Sequence, residues 1–195
     1  MTVKGYTITG DHYFFLNYYQ LMDLTSAKRA GTSRAWIFPR FFVAQYIYFH
    51  YLDLVKRLKM NAVMTKARGI GFSEINACLA ANAYSCRRGS QTIITSHSDT
   101  YTSGTLNKVW NALNWLNSHT DNGFFKLRQV LDTKDAKRAS HYKVTNGQKI
   151  ETGWMSEIRG IVADDPRKLR GDRTDMLIME ESGSWPNFQK TYIQG

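Results

Sequence analysis

Hydrophobic residues recur every three or four positions in three stretches of this chain, which is the pattern of helices that bury one face. The stretches are residues 36–58, 73–86 and 106–116. The positions that define the repeats are Phe42, Tyr46, Phe49, Leu52 and Val55, then Ile75, Leu79 and Ala83, then Leu106, Val109, Trp110, Leu113 and Leu116. The pattern therefore predicts three amphipathic helices.

Short apolar runs outside these stretches predict β-strands. Residues 61–65, 91–96 and 175–179 are three such runs, and a hairpin is predicted around the turn Asn146-Gly147. Along the chain, strand, loop, helix, strand, helix and strand follow one another, which is the order of a parallel α/β sheet. The fold class predicted from the pattern is therefore α/β.

The composition adds a strongly basic charge to this picture. At 195 residues the chain is long enough to bury the core of one domain, and 43% hydrophobic and 13% aromatic residues argue against general disorder. The net charge of +10, with a pI near 9.6, favours a polyanionic partner, most commonly nucleic acid. An ordinary basic protein without such a partner stays open, because charge by itself does not define function.

The sequence carries no mark of export or of a structural metal. Cys78 and Cys86 lie in an apolar segment, as small buried residues of a reducing cytosol do, and the five histidines are scattered. The N-terminal residues lack the pattern of a signal peptide, and no apolar run approaches the length of a membrane span. We therefore expect a cytosolic protein that is neither secreted nor membrane-bound and holds no structural metal.

A glycine-rich loop joins the first predicted strand to the second predicted helix. It reads Lys66-Ala67-Arg68-Gly69-Ile70-Gly71-Phe72-Ser73. Gly69 and Gly71 let backbone N–H groups turn toward one point at the positive end of the helix dipole, which makes a nest for phosphate oxygens. The other interpretation is a glycine-rich turn that binds no ligand.

This loop has its basic residues in an unusual place. A phosphate-binding loop usually ends Gly-Lys-Ser/Thr, and here Phe72 stands where that lysine is expected. Lys66 at the front of the loop could neutralise the terminal phosphates instead, and Ser73 could ligate Mg²⁺. Arg68 could act on the charge that develops as the γ-phosphate leaves. Which of the two basic residues replaces the usual lysine stays open.

Two adjacent carboxylates, Glu180 and Glu181, follow the strand predicted at residues 175–179. Neighbouring acids repel each other and lose hydration at the end of a buried strand, so packing does not explain them. In a nucleotide hydrolase the first would anchor Mg²⁺ and the second would polarise the attacking water. Two solvated acids are the alternative. The order of glycine loop and acid pair in one predicted sheet favours the nucleotide interpretation.

In these two motifs the chain resembles the ATPase domain of the large terminase subunit of tailed bacteriophages, the motor that pumps double-stranded DNA into a prohead. The loop 66–73 is similar to that family's variant Walker A motif, in which the basic residue lies at the front. Residues 176–181 are similar to its Walker B motif, with Glu180 where aspartate is more frequent. Residues 12–18 and 169–173 are similar to further segments, so the resemblance covers most of the chain.

The resemblance implies a P-loop NTPase fold of the ASCE type, with a mainly parallel sheet flanked by helices. It implies that residues 1–35 form an N-terminal segment packing on the core and that residues 36–195 form the ATPase domain. This domain is expected to be incomplete on its C-terminal side, because neither the family's coupling motif nor its nuclease domain is visible. We therefore expect ATPase activity and no nuclease activity from this fragment.

The resemblance also implies cofactors and partners. ATP and Mg²⁺ would bind between the loop and the acid pair, with an adenine contact from Gln45 in the first predicted helix. The implied partners are double-stranded DNA, a portal protein and a small terminase subunit, with the chain in a homo-oligomeric ring on the prohead in the host cytoplasm. Basic clusters that could meet DNA phosphates, or be solvated faces, are Arg87-Arg88, Lys134, Lys137-Arg138 and Arg167-Lys168-Arg170.

Two other classes of protein fit the same motifs. Phe72 in place of lysine, together with the early end of the sheet, is also expected of a nucleotide- or DNA-binding remnant that does not hydrolyse ATP. A helicase-like ATPase shares both nucleotide motifs and would continue into a second motor domain. ATP turnover separates the remnant from a motor.

Overall fold

A computed structural model of the chain describes residues 2–3, 5–23, 31, 35–65, 69–121, 123–169 and 173–194. The chain divides into two compact units, residues 1–78 and 79–195. The division expected from the resemblance, residues 1–35 packing on a core of residues 36–195, stays a prediction. In the part of the chain that the structure describes, no helix is both long and apolar enough to cross a membrane.

The first unit consists of helices and two short antiparallel ribbons. Its elements are, in chain order, β1 (Thr2–Val3) paired with β2 (Tyr6–Thr7), α1 (Gly10–Asn17), β3 (Leu21–Met22) paired with β4 (Trp36–Ile37), α2 (Val43–Leu58) and the first turns of α3 (Phe72–Cys86). The helix predicted over residues 36–58 is confirmed as α2. It begins later than predicted because Phe42 has an extended backbone and an exposed side chain.

Aromatic rings form the core of this unit between α1 and α2. Phe15 and Tyr19 are almost completely buried, and the Phe15 ring lies 5.7 Å from Phe49 of α2 and 5.6 Å from Tyr19. His12 is also buried and stacks on Phe49, with ring centroids 4.6 Å apart. Each ring removes a large apolar area from water. These contacts therefore hold α1 against α2.

The strand predicted at residues 61–65 is wrong. The structure describes these residues without a strand, and the side chains of Val63 and Met64 are 79% and 42% exposed. The backbone of Val63 bonds instead to the Tyr51 hydroxyl of α2, which accepts from its N–H at 3.2 Å and donates to its carbonyl at 3.3 Å. A run of five residues, three of them apolar, is too short to distinguish a strand from an exposed connection that a helix side chain holds.

The second unit is a five-stranded sheet with helices. After the end of α3 it contains β5 (Gln91–Ser96), α4 (Asp99–His119), β6 (Leu131–Asp132), β7 (Ala136–Thr145), β8 (Gln148–Val162), β9 (Met176–Met179) and α5 (Phe188–Gln194), with 3-10 turns at Pro166–Leu169 and Ser182–Ser184. The strand order is β6-β7-β8-β5-β9. β5 is parallel to β8 and β9, whereas β6, β7 and β8 run antiparallel. The α/β class with a parallel sheet is confirmed, and a hairpin extends that sheet on one side.

Helix α4 packs closely on the sheet of this unit. Its predicted apolar face is buried, as are Ile93 and Ile94 of β5. Gly160 of β8 lies opposite Ile94, and a Cβ at this position would overlap the side chain of Leu106. Glycine therefore lets the helix approach the strand at this point.

The remaining helix and strand predictions are confirmed, whereas Cys86, predicted to be buried like Cys78, is exposed. The helices predicted at residues 73–86 and 106–116 are α3 and α4, and the strands predicted at 91–96 and 175–179 are β5 and β9. The predicted hairpin is β7–β8, whose turn residues Asn146 and Gly147 both have positive φ, 52° and 75°.

Candidate functional site

The glycine loop turns directly into α3. Gly69 and Gly71 have φ angles of +84° and +80°, a region that glycine adopts without a steric penalty. The Gly71 carbonyl accepts the first helical hydrogen bonds, from the N–H groups of Glu74 at 3.0 Å and Ile75 at 3.1 Å. Since the first N–H groups of a helix have no partner within it, those preceding Glu74 need an acceptor from outside α3, and an anion is one such acceptor. The described part of the loop is therefore a candidate backbone donor site.

Phe72, which stands at the usual lysine position, belongs to the core of the first unit. It is buried, and its ring lies 4.5 Å from that of Tyr48 in α2. The side chain at the first position of α3 therefore packs against α2 and is not directed to a ligand. A phosphate bound at this loop would therefore have to meet its positive charge at another residue.

Gln45 holds the loop from α2. Its side chain is 6% exposed, and its Nε2 donates to the Ile70 carbonyl at 3.1 Å. The same nitrogen would lie 3.5 Å from a Cβ at Gly71, so the amide fits closely against the loop. Its Oε1 is buried without a hydrogen-bond partner among the residues that the structure describes. This contact supports the loop backbone; the adenine contact implied for Gln45 stays a prediction.

A buried tyrosine anchors the first turn of α3. The Tyr19 hydroxyl donates to Oε2 of Glu74 at 2.7 Å, and the tyrosine side chain is fully buried. Burial, and then the Glu74 carboxylate, raise the pKa of Tyr19 well above its usual value, so the hydroxyl remains a donor at ordinary pH. Sequence reasoning missed this pair. Its signal was a glutamate directly after Ser73 and a tyrosine closing the aromatic run of residues 13–19.

The basic residues of the loop are not part of this geometry. Lys66, Ala67 and Arg68 lie outside the described residues, and their assigned roles stay predictions. Ser73 is the second residue of α3 and is partly exposed. A hydroxyl oxygen is a ligand type that Mg²⁺ accepts beside phosphates and water.

Glu180 continues the last strand of the sheet. Its N–H donates to the Thr95 carbonyl of β5 at 2.8 Å, and its own carbonyl accepts from Trp185 Nε1 at 2.9 Å. The carboxylate is buried, with the Thr105 hydroxyl of α4 at 3.4 Å from Oε1. An oxygen ligand fixed in this way suits Mg²⁺, which takes few protein ligands at nucleotide sites.

Glu181 has a different environment from its neighbour. Its side chain is exposed, and its backbone is left-handed with φ of 52°. Its carbonyl accepts from the Ser184 N–H at 2.9 Å and from the Ser184 hydroxyl at 2.8 Å. This conformation costs a non-glycine residue about 1–2 kcal/mol, and such strain is often kept where function needs it. One carboxylate is thus buried and fixed, and the next is accessible.

The acid pair lies at the carboxyl edge of the parallel strands β8, β5 and β9. His97 follows β5 at this edge, with Nδ1 at 3.5 Å from the Ser184 hydroxyl. A small cavity of about 170 Å³ opens beside it, lined by His97, Ala163, Asp164, Trp185, Asn187 and Thr191. Ligands of open α/β sheets bind outside this edge. Sequence reasoning missed His97 and Thr105, although a polar run after β5 and a threonine on the apolar face of α4 were visible.

Much of the basic surface predicted to meet DNA is paired within the chain. Arg138 contacts Glu151 at 3.0 Å and Glu157 at 2.5 Å, and Lys137 pairs with Asp132. The remaining pairs are Arg167 with Asp165, Lys168 with Asp164, and Lys134 with Asp99. Arg170 lies outside the described residues. Among the described side chains, no group of three or more His, Cys, Asp or Glu could hold a metal ion.

Comparison with known proteins supports the fold. No protein-family model and no curated protein matches the sequence. Among solved structures, the chain is similar to the large terminase ATPase domain of Thermus phage P74-26, with a TM-score of 0.50 and 20% identity over 73% of this chain and 63% of that one. An arginine-to-alanine variant of that domain gives a TM-score of 0.48 and 20% identity, over 69% and 59%. The chain spans about three fifths of the length of these structures.

The fold is therefore an α/β sheet flanked by helices, similar to the fold of a P-loop ATPase domain. The particular domain that it is similar to is that of a phage large terminase, as the sequence motifs led us to expect. At this level of identity the likeness establishes the fold and leaves activity and partners to be proposed.

Proposed function

We propose that this chain is the ATP-hydrolysing motor domain of a viral DNA-packaging terminase, which translocates double-stranded DNA into a prohead. The observation that carries the proposal is the occurrence, in one chain with this fold, of a glycine loop that opens α3 and an acid pair that ends β9. The accessible Glu181 beside a buried Glu180 supports a division of labour between the two carboxylates.

In this proposal each polar residue has one task. The loop N–H groups, together with Gly69 and Gly71, cradle phosphate oxygens, and Lys66 neutralises the β- and γ-phosphates because Phe72 cannot. Ser73 and Glu180 hold Mg²⁺, which when bound would offset the charge of the phosphates.

Hydrolysis then depends on an activated water and on a nearby cation. Glu181 accepts a proton from the attacking water, which requires a carboxylate that solvent can reach. Arg68 stabilises the charge that develops on the leaving phosphate. Gln45 supports the loop, and an additional contact with adenine is part of the proposal inherited from the resemblance.

The partners are proposals from the same resemblance. They are double-stranded DNA, a portal protein and a small terminase subunit, met in a homo-oligomeric ring on the prohead in the host cytoplasm. The net charge of +10 fits a polyanionic partner whose backbone is bound without reading its sequence.

A nucleotide-binding module without turnover is the second candidate, and the burial of Phe72 favours it. With this position used for packing, the loop lacks the lysine that most hydrolases place there. The two candidates differ in whether bound ATP is cleaved.

ATP hydrolysis by the purified chain, with and without linear duplex DNA, tests the proposal. We expect DNA-stimulated turnover that falls about 100-fold or more in Lys66→Ala, since a charge at the phosphates is lost. Lys190→Ala, an exposed lysine in α5, is the matched control and should keep turnover. A folded chain that binds ATP without cleaving it would favour the second candidate, and full turnover in Lys66→Ala would refute the role of Lys66.

A further inference from the structure

The β7–β8 hairpin extends beyond the sheet as an arm. Its strands stay paired from Ser140 opposite Gly153 to Thr145 opposite Gln148. Residues 142–150 are all exposed, on both faces of the two-stranded ribbon. We name residues 141–152 the hairpin arm. A strand within a packed sheet has at least one covered face, so the arm lacks the packing that normally stabilises such a ribbon.

The base of the arm is held firmly. Trp154 Nε1 and the Ser156 hydroxyl both donate to the Tyr84 carbonyl of α3, at 3.0 Å and 2.7 Å. Arg138 at the start of β7 pairs with Glu151 and Glu157 of β8. The ribbon therefore projects from a fixed base, which lowers the ordering cost that a partner has to offset.

The arm carries positive charge on both faces. Lys143 lies opposite Ile150 and Lys149 lies opposite Val144, so the alternation of strands places the two lysines on different faces. Within the arm the single acid is Glu151, which pairs with Arg138. The exposed part of the ribbon from 142 to 150 is thus cationic without an acidic residue.

The shape of the arm fits the same partner as its charge. The major groove of duplex DNA admits a two-stranded β-ribbon, and phosphates line both sides of that groove. Lysines on opposite faces of an inserted ribbon would reach the two phosphate rows. The side chains of Tyr142, Val144 and Ile150 are all exposed and would cover the sugars and base edges between these rows. A protein partner would be expected to meet a more apolar, less charged surface.

We infer that the hairpin arm is a contact for duplex DNA, with Lys143 and Lys149 bound to phosphates. The choice of DNA as the polyanion rests on the proposed function; the arm itself rests on the exposure, register and charge of its residues. Phosphate contacts of this kind carry no sequence preference.

Binding of the whole chain to duplex DNA, measured over a series of salt concentrations, tests the inference. The variant is Lys143→Gln with Lys149→Gln, and the matched control is Lys59→Gln with Lys190→Gln, which removes the same charge from exposed positions elsewhere. We expect the slope of log affinity against log salt to become shallower by about 2 in the arm variant, roughly 1 for each lost phosphate contact. The loss of affinity should be equal on unrelated duplex sequences.

Three results would overturn the inference. They are a wild-type chain that does not bind duplex DNA, an arm variant with the wild-type slope, and an arm variant no weaker than the control. If sedimentation shows that the arm variant loses self-association while its DNA binding is unchanged, the arm contacts a second copy of the chain.

ATP turnover without DNA, measured on the same preparations, separates the two proposals. The arm variant should hydrolyse ATP as the wild type does, because neither lysine belongs to the nucleotide site. A shallower slope in a chain that never hydrolyses ATP would leave the arm standing and remove the motor. ATP hydrolysis by the chain, together with an unchanged salt slope in the arm variant, would keep the motor proposal and refute the arm.

Discussion

The glycine loop and the acid pair reach unusual backbone conformations by different means. In the loop, Gly69 and Gly71 adopt positive φ because glycine has no Cβ, and the conformation is a local property of the residues. In the acid pair, Glu181 adopts a φ of 52° with a full side chain, so its neighbours must impose it. A backbone conformation that the residue type itself permits can be recognised from the sequence. A conformation that neighbouring residues impose depends on the fold around it.

The two regions also differ in the kind of contacts that support them. The described part of the loop is held to α2 by the amide of Gln45 and by the packing of Phe72 on Tyr48. Glu180 is joined to β5, α4 and Trp185 by hydrogen bonds of its N–H, carboxylate and carbonyl. Substitutions at the acid pair should therefore change ATP hydrolysis and leave the fold stable. Substitutions near the loop should change the stability of the fold around it.

The largest effect is expected at Glu181. The contrast between the glycine loop and the acid pair predicts that a substitution here reduces ATP hydrolysis and leaves the fold intact. In Glu181→Gln, ATP turnover should fall by about 10²–10⁴-fold, because the amide cannot accept the proton of the attacking water. Mg²⁺-dependent ATP binding should stay unchanged, since the side chain is exposed and holds no part of the core. Single-turnover hydrolysis and equilibrium binding measure the two quantities.

Glu181→Gly sharpens the same test. Glycine relieves the left-handed strain, which offsets its greater freedom in the unfolded chain, so the free energy of unfolding should stay equal or rise by up to about 1 kcal/mol. Asp121→Asn, which removes an exposed acid elsewhere, serves as the control. Wild-type turnover in Glu181→Gln would show that the acid pair is structural.

An intermediate effect is expected from pH, which should affect the unit that carries the loop. Burial, and then His50, lower the pKa of His12 to about 4. An unfolded histidine titrates near 6.5, so between these values the unfolded chain binds more protons and stability rises with pH. His12 should therefore contribute roughly 3 kcal/mol at most above pH 6.5, lost progressively toward pH 4.

Denaturant unfolding between pH 4.5 and 7.5 measures this dependence, and His12→Phe supplies the comparison. Phenylalanine keeps a ring to stack on Phe49 and removes the titration, so the slope with pH should become flatter. As the pH is lowered, amide exchange should show a loss of protection in α2 before it shows one in β5. A variant with the wild-type slope would mean that another group titrates.

The smallest effect is expected at Gln45, whose side chain supports the loop through one hydrogen bond. In Gln45→Met the Ile70 carbonyl loses its donor, and the free energy of unfolding should fall by about 1 kcal/mol. The gain from removing Oε1, which is buried without a partner among the described residues, keeps the net change small. ATP and GTP should bind more weakly by the same factor, because the change acts through the loop.

The ratio of ATP to GTP affinity distinguishes this role from an adenine contact. A contact with the base would make ATP binding fall more than GTP binding in Gln45→Met. Gln189→Met, on an exposed position of α5, should leave both affinities unchanged. An altered ratio would restore the role that the resemblance implies.

Local patterns determined most of the secondary structure of this protein. The repeats at residues 73–86 and 106–116 and the hairpin turn at Asn146-Gly147 were sufficient, because period and turn chemistry act over a few residues. The run at residues 61–65 failed for the same reason: nothing within five residues shows whether a neighbouring strand exists to accept them.

The candidate site also has features that the local sequence determines and features that only the tertiary structure determines. The sequence by itself determined where the loop glycines and the acid pair lie and which chemistry their types allow. Only the tertiary structure decided that Phe72 packs on Tyr48, that Tyr19 donates to Glu74 and that Glu180 is buried while Glu181 is exposed. Each of these depends on residues brought together from distant parts of the chain, and burial is a property of that arrangement and not of any residue type.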